Sequence, residues 1–362
     1  MNDTKPLKTL LVGCGNMGRH LGKKVYENPN YNLVAVYDVI PENAKEFAEK
    51  TGVKVYTDYD EALKKEKPEV VVIATPNSVH AQNTIQAALS GVKGIYCEKP
   101  IAVNMAEAKE MARVCRDNQV KLIIGHQRRM SDKYRKMKEL IDNGAIGEIK
   151  LFRGSCAGDF VSDGTHTVDS ILYLNGDVDA EWVSGHVIYE RPGTMLYPGK
   201  EFTGERYGMN VESGAMALIQ FKNGVRAEIF TGTLSLKTEH MSIPFSMLYQ
   251  NIEAIGTKGR LWIPGDRNNP NLLIMDEQAG GWRAVEYKEY DVWEVVFTEF
   301  AATVREGRYH PMCIENAMRG FEIVMAVYES ARLRDRLYMP LKQDKYPMDI
   351  ILEENRILKR EW

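Results

Sequence analysis

The sequence predicts an α/β protein in two parts: a doubly wound, mostly parallel sheet in the first third, then a large, mostly antiparallel open sheet. Three observations carry this expectation. Short apolar runs alternate with amphipathic helical stretches as far as residue 125, a glycine-punctuated turn joins the first strand to the first helix, and after residue 126 strand-like runs accumulate without regular crossover helices. At 362 residues the chain is long enough for two hydrophobic cores.

The first strand ends in Leu10, Leu11 and Val12 and is followed by "GCGNMG", in which Gly13, Gly15 and Gly18 hold the GxGxxG spacing. Leu21, Val25 and Tyr26 then mark the apolar face of a helix. In such a turn the first glycine permits the tight bend, the second lets the backbone approach a pyrophosphate, and the third lets helix and strand pack closely. Phosphate charge then rests on the exposed amides at the helix start. A second strand at 33–37 ends in Asp38, placed where a carboxylate accepts hydrogen bonds from the adenosine ribose hydroxyls and repels a 2′-phosphate. The expectation is a dinucleotide-binding domain over residues 1–125 that prefers NAD to NADP, with Gly13, Gly15, Asn16, Met17, Gly18 and Asp38 at the cofactor.

The alternation continues with helices at 42–49 and 59–65, strands at 53–56 and 70–74, a helix at 78–89, a strand at 94–97, a helix at 105–117 and a strand at 121–125. The ligand crevice of a doubly wound sheet lies beyond the strand carboxyl ends. At one of these ends, "VVVIATPNSVHA" places Thr75, Pro76 and Asn77, with His80 on the first turn of the next helix. At another, "GIYCEKP" places Glu98, Lys99 and Pro100. A lysine ending a strand is ordinarily a solvated surface group; at this position it points into the crevice where nicotinamide belongs. His80 is either a polar contact at the helix start or a wall of the cofactor pocket.

From residue 126 the periodicity changes. Ser131 opens a helix with Tyr134, Met137, Lys138 and Ile141 on one face, and Gly144 ends it. Strands are expected at 149–154, 181–189, 213–221, 225–233, 252–256, 259–263 and 271–275, with Asn223-Gly224 as a hairpin turn. This second domain, 126–362, is expected to bind substrate and to serve subunit association. Helical periods return at Trp293, Val296, Phe297, Phe300 and Val304 and at Met318, Phe321, Met325, Tyr328 and Ala331, on helices able to pack against either domain. The polar tail carries Tyr346, Ile350, Ile351, Ile357 and Leu358 as the apolar face of a terminal helix.

The stretch "SDGTHTVDSILYL" sets Asp163, His166 and Asp169 three residues apart at the start of a helix whose buried face is Val168, Ile171, Leu172 and Leu174. His166 is suited to take a proton from a substrate hydroxyl, with Asp163 or Asp169 orienting it or binding another hydroxyl. On the structural alternative, Asp163 caps the helix and His166 hydrogen-bonds beneath the sheet. A metal held by His126, Asp163, His166 and His186 competes for the same residues, but their spacing matches no recognised zinc signature, so no metal is expected.

Composition narrows the partners. With 44% apolar and 27% charged residues and a formal net charge of -3, the chain has no basic stripe for nucleic acid. It has no apolar stretch of membrane-spanning length and no signal-peptide pattern at its start. The five cysteines, Cys14, Cys97, Cys115, Cys156 and Cys313, lie far apart without CxxC spacing and read as buried thiols of a reducing cytoplasm. A soluble cytoplasmic protein acting on a small molecule is expected, without a nucleic-acid or membrane partner.

Taken together, GCGNMG at 13–18, ATPN at 74–77 with His80, CEKP at 97–100, GAIGEI at 144–149 and HxxD at 166–169 resemble the Gfo/Idh/MocA oxidoreductase family over nearly the whole chain. The resemblance implies an N-terminal Rossmann domain and a C-terminal α/β domain built on an open sheet, through which dimers or tetramers associate. It implies NAD(P)-dependent oxidation or reduction of sugars, cyclitols or related polyols; with the Asp38 reading, the expectation is NAD-dependent hydride transfer at a secondary alcohol or ketone of a sugar, glycoside or cyclitol. By position in the motifs, Lys99 is the catalytic-site lysine, His166 the acid/base histidine, and Asp169 lies below the substrate. Thr75, Asn77, His80 and Glu98 join Lys99 along the cofactor, and Arg128 in "GHQRRM" contacts substrate. One departure stands out: relatives place an aspartate four residues before the histidine, whereas this chain has Ser162 there and Asp163 three before. Asp163 either fills that role by a shift in register, or hydroxyl recognition differs. The alternatives are a catalytically inactive NAD-binding sensor or structural protein, and a sugar epimerase or oxidoreductase that retains its cofactor.

Overall fold

The computed structural model describes residues 5–197, 200–235, 249–265, 271–276 and 280–354. The chain divides into two compact units, Met1–Met130 with Tyr290–Ala317, and Ser131–Glu289 with Met318–Trp362.

The first unit is built on a six-stranded parallel sheet of β1 (Leu7–Val12), β2 (Tyr31–Tyr37), β3 (Lys54–Tyr56), β4 (Val70–Ile73), β5 (Gly94–Cys97) and β6 (Lys121–Ile124). The strands lie in the order β3-β2-β1-β4-β5-β6, so the chain turns back at β1/β4, the switch point where such sheets bind ligands. Helices α1 (Asn16–Glu27), α2 (Pro41–Thr51), α3 (Tyr59–Glu66), α4 (His80–Leu89) and α5 (Met105–Asp117) are the crossovers. Strands β4 and β5 are buried along their whole length, as expected of strands covered on both faces. Gly13 and Gly18 make the first turn possible: a Cβ on Gly18 would lie 2.0 Å from the Gly13 carbonyl oxygen, and Gly13 itself has φ +89°.

This unit is completed by a helix from far along the chain, Val292–Glu306. Its Val296, Phe297, Phe300 and Ala301 are buried with Leu21, Val25, Tyr31 and Tyr96 in one core. The Tyr31 hydroxyl donates to the Phe297 carbonyl at 2.6 Å, and Asp291 caps the helix while pairing with Lys24. A Cβ on Gly94 would lie 2.5 Å from a Val304 methyl, so β5 has no side chain there because the helix occupies the space.

The second unit begins with α6 (Asp132–Asp142), β7 (Ile149–Cys156), a wide turn Phe160–Gly164, α7 (Thr165–Leu174) and β8 (Ala180–Ile188). Two small hairpins follow, β9 (Met195–Tyr197) with β10 (Lys200–Glu201) and β11 (Glu205–Arg206) with β12 (Met209–Asn210). Then come β13 (Gly214–Phe221), β14 (Arg226–Thr231), β15 (Asn251–Gly256), β16 (Gly259–Ile263), β17 (Leu273–Asp276), β18 (Arg283–Ala284) and β19 (Leu337–Tyr338). Nine strands form one sheet in the order β18-β17-β16-β15-β7-β14-β13-β8-β19. All its pairings are antiparallel except β7 with β14. The Asn223-Gly224 turn does close the β13–β14 hairpin.

One face of this sheet is covered. A Cβ on Gly154 of β7 would lie 2.4 Å from a Thr167 methyl of α7, and one on Gly185 of β8 would lie 2.2 Å from the Val327 carbonyl of the helix Ile314–Leu333. The pleat shows in β13, where Ala215, Ala217, Ile219 and Phe221 are buried while Met216 and Leu218 are exposed on the opposite face. In the tail, Tyr346 and Ile351 are buried on or beside the helix Pro347–Glu353; Ile357 and Leu358 lie outside the described residues. Among the described residues no helix is long and apolar enough to cross a membrane.

Candidate active site

In the first unit the β1–α1 turn presents main chain to a ligand. Gly15 precedes α1 without any side-chain cap, a Cβ added to it would meet nothing within 4 Å, and no acidic residue occupies the first turn. The α1 amides are thus left to accept charge from outside, as a pyrophosphate requires. Asn16 and Met17 are exposed at this turn, and Asn16 accepts a bond from Arg19. Asp38, at the end of β2, accepts hydrogen bonds from the Cys14 amide at 2.6 Å and the Ile40 amide at 2.8 Å. These bonds hold the carboxylate against the glycine turn. A carboxylate has about four acceptor directions, so capacity for ribose hydroxyls is left. These residues fit a dinucleotide, and the unit binds NAD.

The loops after β4 and β5 are tied to each other through His80. Its Nδ1 is 2.8 Å from the Pro100 carbonyl oxygen and its Nε2 is 2.9 Å from the Thr75 carbonyl oxygen. Both ring nitrogens of this fully buried side chain therefore face main chain. Burial pushes its pKa down, against the pull of the two carbonyls. Asn83 donates to the Thr75 hydroxyl, and Asn77 is buried beside it in the sequence. On the β5 side, Glu98 accepts from the Tyr96 hydroxyl at 2.7 Å and from the Lys99 amide at 3.2 Å, while the Glu98 amide donates to the Ile73 carbonyl. Burial raises the Glu98 pKa, opposed by the Tyr96 bond. Lys99 thus rises, half-buried, from a loop fixed on both sides of it. Arg128 is buried on the short turn Gln127–Met130 of the same unit.

In the second unit the residues before α7 differ from a simple capped helix. Asp163 stands in the wide turn before the helix, where the Gly164 amide reaches back to the Asp159 carbonyl, and the cap is Asp159, which accepts from the Ser162 amide at 2.6 Å. This rules out the structural alternative in which Asp163 caps the helix. The wide turn moves the helix start to Thr165 and frees the Asp163 carboxylate from capping. That carboxylate accepts instead from the Tyr249 hydroxyl at 2.7 Å and from Arg206 Nη1, which also reaches Asp159 at 3.0 Å. A Cβ on Gly158 would lie 1.8 Å from the Asp163 carboxylate, so only glycine leaves room for it. His166 and Asp169 are buried on α7, and Ser162 is fully buried in the turn.

Behind the turn, Glu212 accepts from the Phe160 amide at 2.6 Å and from the Tyr328 hydroxyl at 2.5 Å. Burial, reinforced by the charge of Asp159, pushes the Glu212 pKa up to about 7. Asp159 is likewise raised by burial and by Asp163, and is held back by Arg206. Sequence reasoning missed Asp159, Arg206, Glu212 and Tyr249. For Arg206 and Glu212 the accessible signal was the polar stretch "GERYGMNVES", which has no apolar period to explain it. His186 is exposed on β8, and among the described residues no group of three or more His, Cys, Asp and Glu side chains is placed to hold a metal ion.

Comparison with known proteins agrees with this architecture. Residues 7–126 match the oxidoreductase family with the NAD-binding Rossmann fold, and residues 134–262 match the GFO/IDH/MocA C-terminal domain. A 2,7-anhydro-N-acetylneuraminate hydratase of Mediterraneibacter gnavus is 30% identical over 225 residues, covering 55% of this chain and 59% of that protein. The scyllo-inositol 2-dehydrogenase (NAD(+)) of Bacillus subtilis is 25% identical over 345 residues, 90% of this chain and 94% of that one. In fold the chain is similar to an oxidoreductase from Agrobacterium radiobacter in complex with NAD+, L-tartaric acid and magnesium, with a TM-score of 0.76 at 20% identity over 92% of this chain and 98% of the other. With both of its parts matched by the same family and the dinucleotide turn in place, the chain belongs to the Gfo/Idh/MocA family of NAD-binding oxidoreductases.

Proposed function

We propose that the protein is an NAD-dependent dehydrogenase acting on a secondary alcohol, or in reverse a ketone, of a sugar, glycoside or cyclitol, with Lys99 and His166 as its catalytic residues. The observation that carries this reading is Lys99 on a doubly anchored loop at a β carboxyl end of the NAD-binding unit, together with the family match. Bound NAD+ supplies the hydride acceptor. The Lys99 ammonium holds the reacting oxygen and stabilises its developing negative charge. His166 takes the hydroxyl proton as the carbon becomes a carbonyl, and returns it in reduction. Asp169 and Arg128 bind further hydroxyls, whereas the bonds from Arg206 and Tyr249 favour Asp163 as a fixed acceptor over a proton donor. The test is absorbance at the reduced-nicotinamide band across a panel of polyols, glycosides and cyclitols. Reduced cofactor accumulating with one class is the expected result; cofactor binding without redox change across the panel would leave an NAD sensor.

A second reading rests on the hydratase relative, whose named reaction has no net oxidation. In that case the cofactor is reduced and reoxidised without release. A rapid absorbance burst that decays without net NADH would select it.

We further propose that the chain assembles as a homodimer or homotetramer through the open face of the nine-stranded sheet. On that face exposed Met216 of β13 pairs with Phe230 of β14 and His186 of β8, and exposed Leu218 pairs with Glu228 of β14 and Ser184 of β8. Light scattering on the purified chain tests the assembly, and Leu218→Glu is expected to dissociate it.

A further inference from the structure

Resting on the dehydrogenase reading above, we propose that Arg206 is a positioning residue for His166: its guanidinium, gripped between Asp159 and Asp163, locks the turn from which the His166 helix starts. Asp159 caps that turn and Asp163 lies in it, 47 and 43 residues earlier in the chain, so the bonds brace the β11–β12 hairpin against it. The opposite oxygen of Asp163 is taken by the Tyr249 hydroxyl. Gln250 then grips the chain on both sides of His166, donating to the Asp163 carbonyl at 2.8 Å and accepting from the Thr167 hydroxyl at 2.8 Å. Residues 163 to 167 are therefore held from two directions, and Arg206 supplies the charged half of the hold.

Charge balance makes Arg206 hard to replace. Among the groups around it are Asp159, which caps the turn, and Asp163 in it, Tyr207 under its guanidinium at 4.9 Å, Tyr249 across the Asp163 carboxylate, the Cys156 thiol beside both aspartates, and Glu212 with Tyr328 and Tyr346 behind Asp159. Without the guanidinium, the two buried carboxylates lose the cation that they share. Like charges at that separation in a low-dielectric site do not both stay ionised without moving apart. The turn then opens or takes up a proton, and either event moves the start of α7. If Arg206 only anchored its own hairpin, its stacking on Tyr207 would be the contact that mattered and His166 would not respond.

The test uses the full chain with Arg206→Met and Arg206→Lys, each alone and combined with Asp163→Asn. Hydrogen exchange reads the turn directly, and the pH dependence of His166 modification by diethyl pyrocarbonate reads the histidine without any substrate. Arg206→Met is expected to speed exchange at residues 160–167 by about tenfold or more while leaving the first unit unchanged, and to shift the His166 modification midpoint. Arg206→Lys, which keeps the charge on a single nitrogen but loses the planar guanidinium over Tyr207, is expected to restore part of both and serves if the methionine variant does not fold. In the Asp163→Asn background the same changes are expected to add little, because Arg206 acts through that carboxylate. With an alcohol that the parent oxidises, Arg206→Met is expected to lower kcat by about 10²-fold at unchanged NAD affinity. Unchanged His166 reactivity and turn exchange, or fully additive effects with Asp163→Asn, would overturn the assignment. A parent chain that transfers no hydride sinks the dehydrogenase reading alone, since exchange and modification still decide on Arg206.

Discussion

On the proposed reading, Asp38 serves structure and selectivity at once. Its two bonds to the main chain fix the glycine turn, and its charge is proposed to repel a 2′-phosphate. Asp38→Ala is expected to weaken NAD binding by about tenfold or more and to erase the preference over NADP. Isotherms for both cofactors check this, and tighter NADP binding by the parent would refute the assigned selectivity. For the proposed reacting groups, Lys99→Ala and His166→Ala are each expected to lower turnover by about 10² to 10⁴ with NAD affinity kept. Single-turnover hydride transfer is the measurement. Raising pH is expected to recover part of the His166→Ala loss in oxidation, because more of the substrate is then alkoxide. The residues legible from sequence at this scale share one property: each lies in a short contiguous motif. Gly13 and Gly18 meet within six residues of chain, whereas Arg206 meets Asp163 across 43 and sits in a polar two-residue strand with no period to betray it.

Among elements, the wide turn before α7 is sensitive to small changes. Gly158→Ala is expected to push the Asp163 carboxylate off Arg206, since the added Cβ would stand 1.8 Å from it. The expected cost is about 1–3 kcal/mol from overpacking, and chemical denaturation at neutral pH measures it. Glu212 makes the same region pH-sensitive. Its folded pKa of about 7 exceeds an ordinary carboxyl's, so the proton it holds contributes stability that is complete below about pH 4.5 and is lost as pH rises through 7. Glu212→Gln is expected to flatten that part of the profile. Helices, strands and the Asn223-Gly224 hairpin were legible because apolar period and turn chemistry are local. Strand neighbours were not: β7 lies between β15 and β14, both far from it in sequence, and pattern alone carries no information about that choice.

Over the whole molecule, titration pulls stability in opposite directions. In the first unit Glu66 is buried, which by itself would raise its pKa, yet Lys54, Tyr56 and Lys8 together lower it to about 2. Its contribution is therefore present above pH 4.5 and lost as pH falls toward 2, roughly 3 kcal/mol at most. Glu66→Gln is expected to remove much of the acid-side loss, while Glu212→Gln acts only on the neutral side. Thermal melts of both variants between pH 3 and 8 separate the two. The division into a parallel and a mostly antiparallel sheet was legible because strand spacing differs so plainly between the two parts of the chain.

The helix Val292–Glu306 gives the first unit a history during synthesis. Six strands and five helices leave the ribosome by residue 124, but the apolar seat for Val296, Phe297, Phe300 and Ala301 stays uncovered until that helix emerges. At roughly 5–20 residues per second the wait is on the order of 10 s. Through that interval Tyr31, Tyr96 and the open space at Gly94 are offered to chaperones or to neighbouring nascent chains. A chain cut after Met130 is expected to collect in the insoluble fraction, and restoring residues 290–317 on a flexible tether is expected to bring it back into solution.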